Sequence, residues 1–319
     1  MLVMLVAALV TGALAFGLGG SWVGAVVIAH GAVGLALVVL SPWKGVIAAR
    51  GVRRRGPRSA ASIVLAALVI ATVITGVAHA FGARDLGPIS AMRLHVAAAL
   101  LSVPLAGWHL VARPVRPRPA DASRRALLRG VGVLGVGAGL SVAGEGVARV
   151  FDLPGVDRRS TGSHEVGSFD PGAMPTTIWL NDRVPVLEAG THLVSIAGQS
   201  VSVSELDLGA EIRATLDCTG GWYSVHDWSG IRLDRVLPAT PGLSVVVRSV
   251  TGYARRLPSG DASRTWLATR LDGAELPADH GGPVRLVAPG RRGFWWVKWV
   301  SSIEIEDTPW WWQPPFPLA

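Results

Sequence analysis

Charge is scarce in this chain. Only 16% of its 319 residues are Asp, Glu, Lys or Arg, against roughly 25% in soluble globular proteins. Half of the residues are apolar and mean hydropathy is +0.42, so a wholly soluble protein and a disordered one are both excluded. Cysteine occurs once, at Cys218, which rules out an internal disulfide. Lysine occurs twice, at Lys44 and Lys298, in a chain that otherwise uses arginine. Zinc-type ligand spacing, a serine triad, a phosphate-binding P-loop, internal repeats and low-complexity segments are all missing.

The charge that is present is unevenly placed. Net charge is +8, which would fit a nucleic-acid binder. Residues 1–150, however, hold 15 basic and three acidic residues (Asp85, Asp121, Glu145), while residues 151–319 are mildly acidic. The basic excess therefore lies in the apolar half, and nucleic acid drops out. Five apolar stretches, about 2–17, 21–42, 60–81, 92–112 and 127–150, approach the roughly 20 residues that a membrane helix needs. Segments 44–58 and 113–129 carry 12 of the 15 basic residues and predict cytoplasmic loops. Alternation then puts the N-terminus inside and everything after residue 150 outside a bacterial cytoplasmic membrane.

Ser123-Arg124-Arg125-Ala126-Leu127-Leu128-Arg129 resembles a twin-arginine export signal preceding the last apolar segment. A positively charged membrane flank explains the same residues. Of eight histidines, His30, His79, His95 and His109 lie in or at the ends of predicted membrane helices, where ionisable residues are rare. His95 and His109, 14 residues apart, share one helix face about 21 Å apart. The pattern resembles di-haem b-type cytochromes. That resemblance implies one or two haems b, with His79 and His95 paired near the outer surface and His30 and His109 serving an inner site. Hydrogen-bonded packing, or proton or quinone contacts, is the alternative for these histidines.

From about residue 160 the texture changes. Thr176–Leu180, Leu193–Ile196, Leu243–Val250, Val284–Val287 and Ser301–Ile305 are short and β-branched, and predict strands. Short helices are expected at Ser204–Leu208 and Leu233–Leu237. The expected organisation is an all-α transmembrane bundle of about five helices (1–150), a linker (151–162), and a mixed α+β domain (163–319).

Four motifs in that domain give it a resemblance to the sulfite oxidase-type molybdopterin domain, particularly the methionine sulfoxide reductase catalytic subunit branch. They are Cys218-Thr-Gly-Gly-Trp222; Trp228-Ser-Gly-Ile-Arg-Leu233 with Val236-Leu237; the run from Leu276 through Asp279-His280-Gly281 and Pro283-Val-Arg285 to Gly290; and Gly293-Phe-Trp-Trp-Val-Lys298-Trp299. The resemblance implies that Cys218 is the catalytic thiolate ligand to molybdenum. It implies molybdopterin contacts from His280, Trp222 and His164, with Arg285 and Lys298 on the cofactor's phosphate. Soft sulfur ligation suits a metal that cycles in oxidation state while an oxygen atom moves. Arg291 and Arg292 are expected in a solvated loop, with added phosphate contacts as the alternative. His226 and Asp227 are expected in a surface turn, and His192 as structural.

Two departures from sulfite oxidases bear on substrate. Gly221 and Trp222 stand where those enzymes carry an Asn-Arg pair that holds sulfite, so reduction of an S- or N-oxide is favoured over sulfite oxidation, although Arg255 and Arg256 could line the pocket. A dimerisation domain does not follow Lys298, which leads to the expectation of a monomer. Quinone is the expected electron partner, and membrane lipid and a small-molecule substrate complete the partners. A non-catalytic sensor module would predict degraded ligand positions, whereas Cys218, His280, Arg285 and Lys298 are all intact.

Overall fold

The computed structural model describes residues 1–20, 22–87, 89–114, 123–179, 182–207, 209–238 and 242–314. The chain divides into a helical unit within residues 1–164 and a sheet unit beginning at Glu165.

Five helices build the first unit: α1 (Leu2–Gly17), α2 (Val23–Arg55), α3 (Ala60–Ala80), α4 (Ala91–Ala112) and α5 (Arg124–Val150). A two-residue ribbon, β1 (Asp85–Leu86) and β2 (Ile89–Ser90), joins α3 to α4. Helices α2 to α5 are each long and apolar enough to cross a membrane, while α1 is shorter. At 1.5 Å per residue, 21 residues span about 32 Å, slightly more than a hydrocarbon core. α3 packs on α4 and α2 on α5. Large apolar side chains such as Ile70, Ile74, Leu100, Leu101 and Val142 point outward and are exposed, the reverse of a soluble bundle.

Two expectations change here. Segment 44–58 is not a loop: α2 runs on to Arg55 and ends where Gly56 turns to φ 53°. Nothing between Pro42 and Gly56 breaks a helix, so the arginines ride on its last turns. The linker is not free either. It folds into the helical unit as a turn and a 3-10 helix (Pro154–Asp157), and Arg158 bonds both Glu145 and the Ala80 carbonyl. Ser123 N-caps α5, accepting from the Ala126 N–H at 3.2 Å. The cap is a structural reason for the serine that stands before the arginine pair. Residues 115–122 of the second basic segment lie outside the described residues.

The second unit is two sheets. The six-stranded sheet contains β3 (His164–Glu165), β6 (Ala210–Asp217), β7 (Trp222–Arg232), β10 (Trp266–Leu271), β11 (Ala274–Glu275) and β12 (Arg285–Val287). The five-stranded sheet runs β5 (Gln199–Ser202), β4 (Leu193–Ile196), β13 (Val300–Glu306), β8 (Ser244–Ser249), β9 (Ala254–Pro258), with β13 parallel to β4 and antiparallel to β8. A single helical turn, α6 (Val203–Leu206), carries a capping box from Ser202 and Glu205. Four of the five expected strands are present. Thr176–Trp179 is not a strand: Thr176 donates to Asp279, and Thr177 turns to Cys218, so this segment forms cavity wall rather than a ladder. Leu180 lies outside the described residues. Leu233–Leu237 begins as a 3-10 turn (Leu233–Arg235).

The β6–β7 hairpin positions the site. Along β7, Trp222, Ser224, His226 and Trp228 alternate inward, as the two-residue period of a strand demands. Strand pairing closes at Asp217 opposite Tyr223, which leaves residues 218–221 as the tip. Gly221 sits at φ 88°, a conformation that favours glycine. Cys218 thus stands at the end of a long, buried, well-registered ribbon.

Candidate active site

One cavity of about 100 Å³ opens at the hairpin tip. Its wall includes Cys218, Thr219 and Trp222 from the tip, Thr177, Trp179 and Asp182 from the coil before β4, and His280, Arg285, Phe294, Trp296, Lys298 and Trp299 from the C-terminal motifs. Cys218, Trp222, His280, Arg285 and Lys298 are brought together as the sequence implied.

Cys218 is buried and is held from three sides. The Gly220 N–H donates to Sγ at 3.3 Å, Thr177 Oγ1 lies 3.6 Å from Sγ, and the Cys218 N–H donates to the Trp222 carbonyl at 2.8 Å. Gly293 passes directly behind it. A Cβ there would lie 3.2 Å from Cys218 Cα and 3.4 Å from the Asp217 carbonyl, so only glycine lets the two segments approach. Arg292 is not in a solvated loop. It is buried, pairs with Asp217 at 2.5 Å and donates to the Cys218 carbonyl at 3.0 Å, clamping the tip.

The cations are desolvated. Arg285 is 1% exposed, donates to the His280 carbonyl at 2.7 Å and the Trp296 carbonyl at 3.4 Å, and lies over the rings of Trp228 and Trp296. Its Nε is buried with no partner among the described residues. Burial pushes its pKa down to about 9, opposed by the charge of Cys218. Lys298 donates to the Asp279 carbonyl at 2.5 Å, and burial, together with the charge of Arg285, pushes it down to about 7. His280 is lowered to about 4, chiefly by burial. Asp182 is raised by burial. This is a site built to receive negative charge: two cations have lost their water, and neither has a carboxylate partner in hydrogen-bond reach within the described contacts.

Several expected residues lie elsewhere. His164, the last residue of the helical unit and the first of β3, has its Nε2 3.0 Å from the His79 carbonyl and its ring edge-on to His79 at 4.7 Å. It is not among the cavity-lining residues. Arg255 is buried but stacks over Trp295 and Phe294 outside the cavity wall, and Arg256 pairs with Glu306. Arg291 bonds Asp261 and lies over Trp295. His226 is not in a surface turn: it is fully buried between Ser224 and Asp272, at 2.6 Å from each. His192 is structural, bonded to the Val300 carbonyl at 2.8 Å. Among the histidines of the helical unit, the His30 ring lies against His95 and the His79 ring against His164. His109 lies by Ser62, 3.4 Å away.

The sequence missed most of the aromatic wall. Trp179, Tyr253, Phe294, Trp296 and Trp299 converge from three segments, and the Tyr253 hydroxyl donates to the Phe294 carbonyl. Their count alone was a signal, since ten of the 13 tryptophans fall after residue 165.

Residues 182–312 match the family model described as "Oxidoreductase molybdopterin binding domain". Mitochondrial sulfite oxidase of Rattus norvegicus is 31% identical over 167 residues, covering 39% of this chain and 31% of that protein. The protein-methionine-sulfoxide reductase catalytic subunit MsrP of Xanthomonas campestris is 32% identical over 135 residues, covering 34% of this chain and 42% of that protein. The sulfane dehydrogenase SoxCD structure from Paracoccus pantotrophus aligns with a TM-score of 0.36 and 21% identity, covering 39% of this chain and 40% of that one. The chain thus spans less than half the length of the curated relatives it matches. The cavity's donors fit the group that the family name implies, because a buried thiol and two under-neutralised cations share one wall. The sheet unit therefore carries a molybdopterin-binding oxidoreductase domain, matched over residues 182–312.

Proposed function

We propose that this protein is a membrane-anchored, molybdopterin-dependent oxidoreductase. It exchanges an oxygen atom with a small substrate on the extracytoplasmic side and reduces an S- or N-oxide with electrons from the quinone pool, passed through haem in the helical unit. The observation that carries this reading is the cavity wall in which Cys218, with a backbone N–H on its sulfur, faces the desolvated Arg285 and Lys298. When bound, the molybdenum cofactor supplies two-electron oxygen-atom exchange. Cys218 would hold the metal, Arg285 and Lys298 would hold the phosphate of the pterin, and His280 and Trp222 would flank it. Burial pushes Lys298 down to about 7, and an anion bound beside it would raise it again.

Reduction of a neutral oxide is preferred to sulfite oxidation because of where the cations point. Arg285 and Lys298 are directed at the His280, Trp296 and Asp279 carbonyls, and Arg255 is stacked outside the wall. The rest of the cavity is largely aromatic, which suits an uncharged substrate. Sulfite oxidation is the second reading, favoured by the similarity to sulfite oxidase. Four helices long enough to span and two arginine-rich segments support the membrane anchor and its orientation. Ser123–Arg129 is proposed as the export address.

The test uses the full chain purified in detergent from a host that makes molybdopterin. Molybdenum is measured, then turnover against sulfoxides, N-oxides and sulfite with a viologen donor or a dye acceptor. Stoichiometric molybdenum with oxide reduction is expected. A folded preparation without molybdenum overturns the proposal, and turnover of sulfite alone reverses its direction.

A further inference from the structure

We infer that the helical unit binds a single haem whose two axial ligands are the Nε2 atoms of His30 and His95. The inference rests on the reading that this unit carries electrons, and it names the site. Hydrogen bonding sets the tautomer of both rings. His30 Nδ1 lies 3.1 Å from the Ala8 carbonyl, and His95 Nδ1 lies 2.8 Å from the Thr72 carbonyl. A carbonyl oxygen can only accept, so in each neutral ring the proton is on Nδ1, and Nε2 carries an open lone pair. A ligating histidine is held in this way, its far nitrogen tied to a backbone carbonyl or carboxylate.

The two rings are neighbours, with centroids 5.8 Å apart and planes at 89°. Two metal–nitrogen bonds of about 2 Å each, plus the ring radius on either side, put bis-imidazole centroids roughly 6 Å apart. Perpendicular planes are allowed because each ring turns about its own metal–nitrogen bond. His30 lies on α2 and His95 on α4, while their carbonyl anchors lie on α1 and α3, so all four helices fix the pair. Gly12 and Gly76 seat the rings. A Cβ at Gly12 would lie 3.0 Å from His30 Cε1, and one at Gly76 2.9 Å from Cε1 and Nδ1 of His95.

The chemistry of the ligand follows from the donor count. A bare zinc ion requires four protein or solvent ligands. Among the described residues, no group of three or more His, Cys, Asp or Glu side chains could hold a metal ion. Two imidazoles alone complete a metal whose four equatorial positions are already filled, as in haem. The other histidines are otherwise engaged. His79 bonds the Gly162 carbonyl through Nε2 at 2.9 Å, which protonates the nitrogen that a haem would need. His109 has its Nδ1 3.4 Å from the Ser62 hydroxyl.

The test is haem stoichiometry and spectroscopy on the detergent-purified full chain and its His30→Ala, His95→Ala, His79→Ala and His109→Ala variants. One haem per chain, with b-type reduced-minus-oxidised bands, is expected for the parent and for the His79 and His109 variants. Loss of the low-spin spectrum is expected for the His30 and His95 variants, with recovery on adding imidazole. Gly76→Ala should keep the haem and shift the g values of its low-spin ferric signal. Two haems, or a spectrum lost in His79→Ala and kept in His30→Ala, overturns the assignment, as does zinc or copper in place of haem. Molybdenum without haem overturns this inference and the haem step of the proposed function, and leaves the oxygen-atom exchange at the molybdenum site standing. Haem without molybdenum does the reverse.

Discussion

Arg285→Met separates a residue that holds the fold from one that waits for an anion. In the cofactor-free protein, burial lowers Arg285 from its ordinary value to about 9, which amounts to about 5 kcal/mol against its charged form. Against this stand two hydrogen bonds to carbonyls, at 2.7 and 3.4 Å, worth about 1.5–3 kcal/mol for the good one and less for the other. Two tryptophan faces at 5.0 and 5.6 Å add about 2 kcal/mol. The opposing sums nearly cancel. Methionine removes the burden and fills most of the volume, so the apo variant should lie within about 2 kcal/mol of the parent. Removing one partner of a neutralised buried pair costs about 3–5 kcal/mol instead. Guanidinium unfolding followed by tryptophan fluorescence reads this unit, which holds ten of the 13 tryptophans. Full-length protein is prepared from hosts with and without molybdopterin synthesis. The parent should gain stability when the cofactor is present and the variant should gain none. An apo variant destabilised by more than about 4 kcal/mol, or one that retains molybdopterin, refutes the reasoning.

Cys218→Ser should leave the fold intact and abolish turnover, with a changed molybdenum spectrum; unchanged turnover would remove the cysteine from the chemistry. His280, lowered from 6.5 to about 4, binds a proton in the unfolded state before it does so in the folded one. Stability of the apo sheet unit should therefore fall as pH drops from about 6.5 toward 4, by at most about 3 kcal/mol, and His280→Asn should flatten that part of a stability–pH curve. Asp217→Asn leaves Arg292 buried without its carboxylate and should cost about 3–5 kcal/mol in denaturant unfolding; a loss below 1 kcal/mol would show that the tip is clamped by other contacts.

The helices were legible because each is a long apolar run with few charges. Their ends were less so. Segment 44–58 read as a loop from its charges, yet helix continues through it to Arg55 and ends at Gly56, because exposed charge does not by itself end a helix. In the sheet unit, β8, β12 and β13 stood out as short β-branched runs. β7 did not, although it is the longest strand at 11 residues. Its sequence alternates Trp, Ser, His and Trp on the inward face, so polar residues sit where apolar ones mark a strand. Ser224 and His226 are satisfied by each other and by Asp272, a partner 46 residues downstream that local pattern cannot see.

The site divides along the same line. Cys218, His280, Arg285 and Lys298 were found from motif order, because each motif is local. What their side chains face was not, because it depends on segments that meet only in the fold. Arg255, Arg291 and Arg292 look equivalent to Arg285 in sequence. The structure gives Arg292 to Asp217 and Arg291 to Asp261, stacks Arg255 on Trp295, and leaves Arg285 without a carboxylate. The histidines follow the same logic. Spacing along α4 puts His95 and His109 on one face, but a ligand is chosen by which ring nitrogen is free, and the Ala8 and Thr72 carbonyls decide that from other helices. A periodicity of 3.6 residues locates a face; a carbonyl partner on another helix fixes the ring proton on Nδ1.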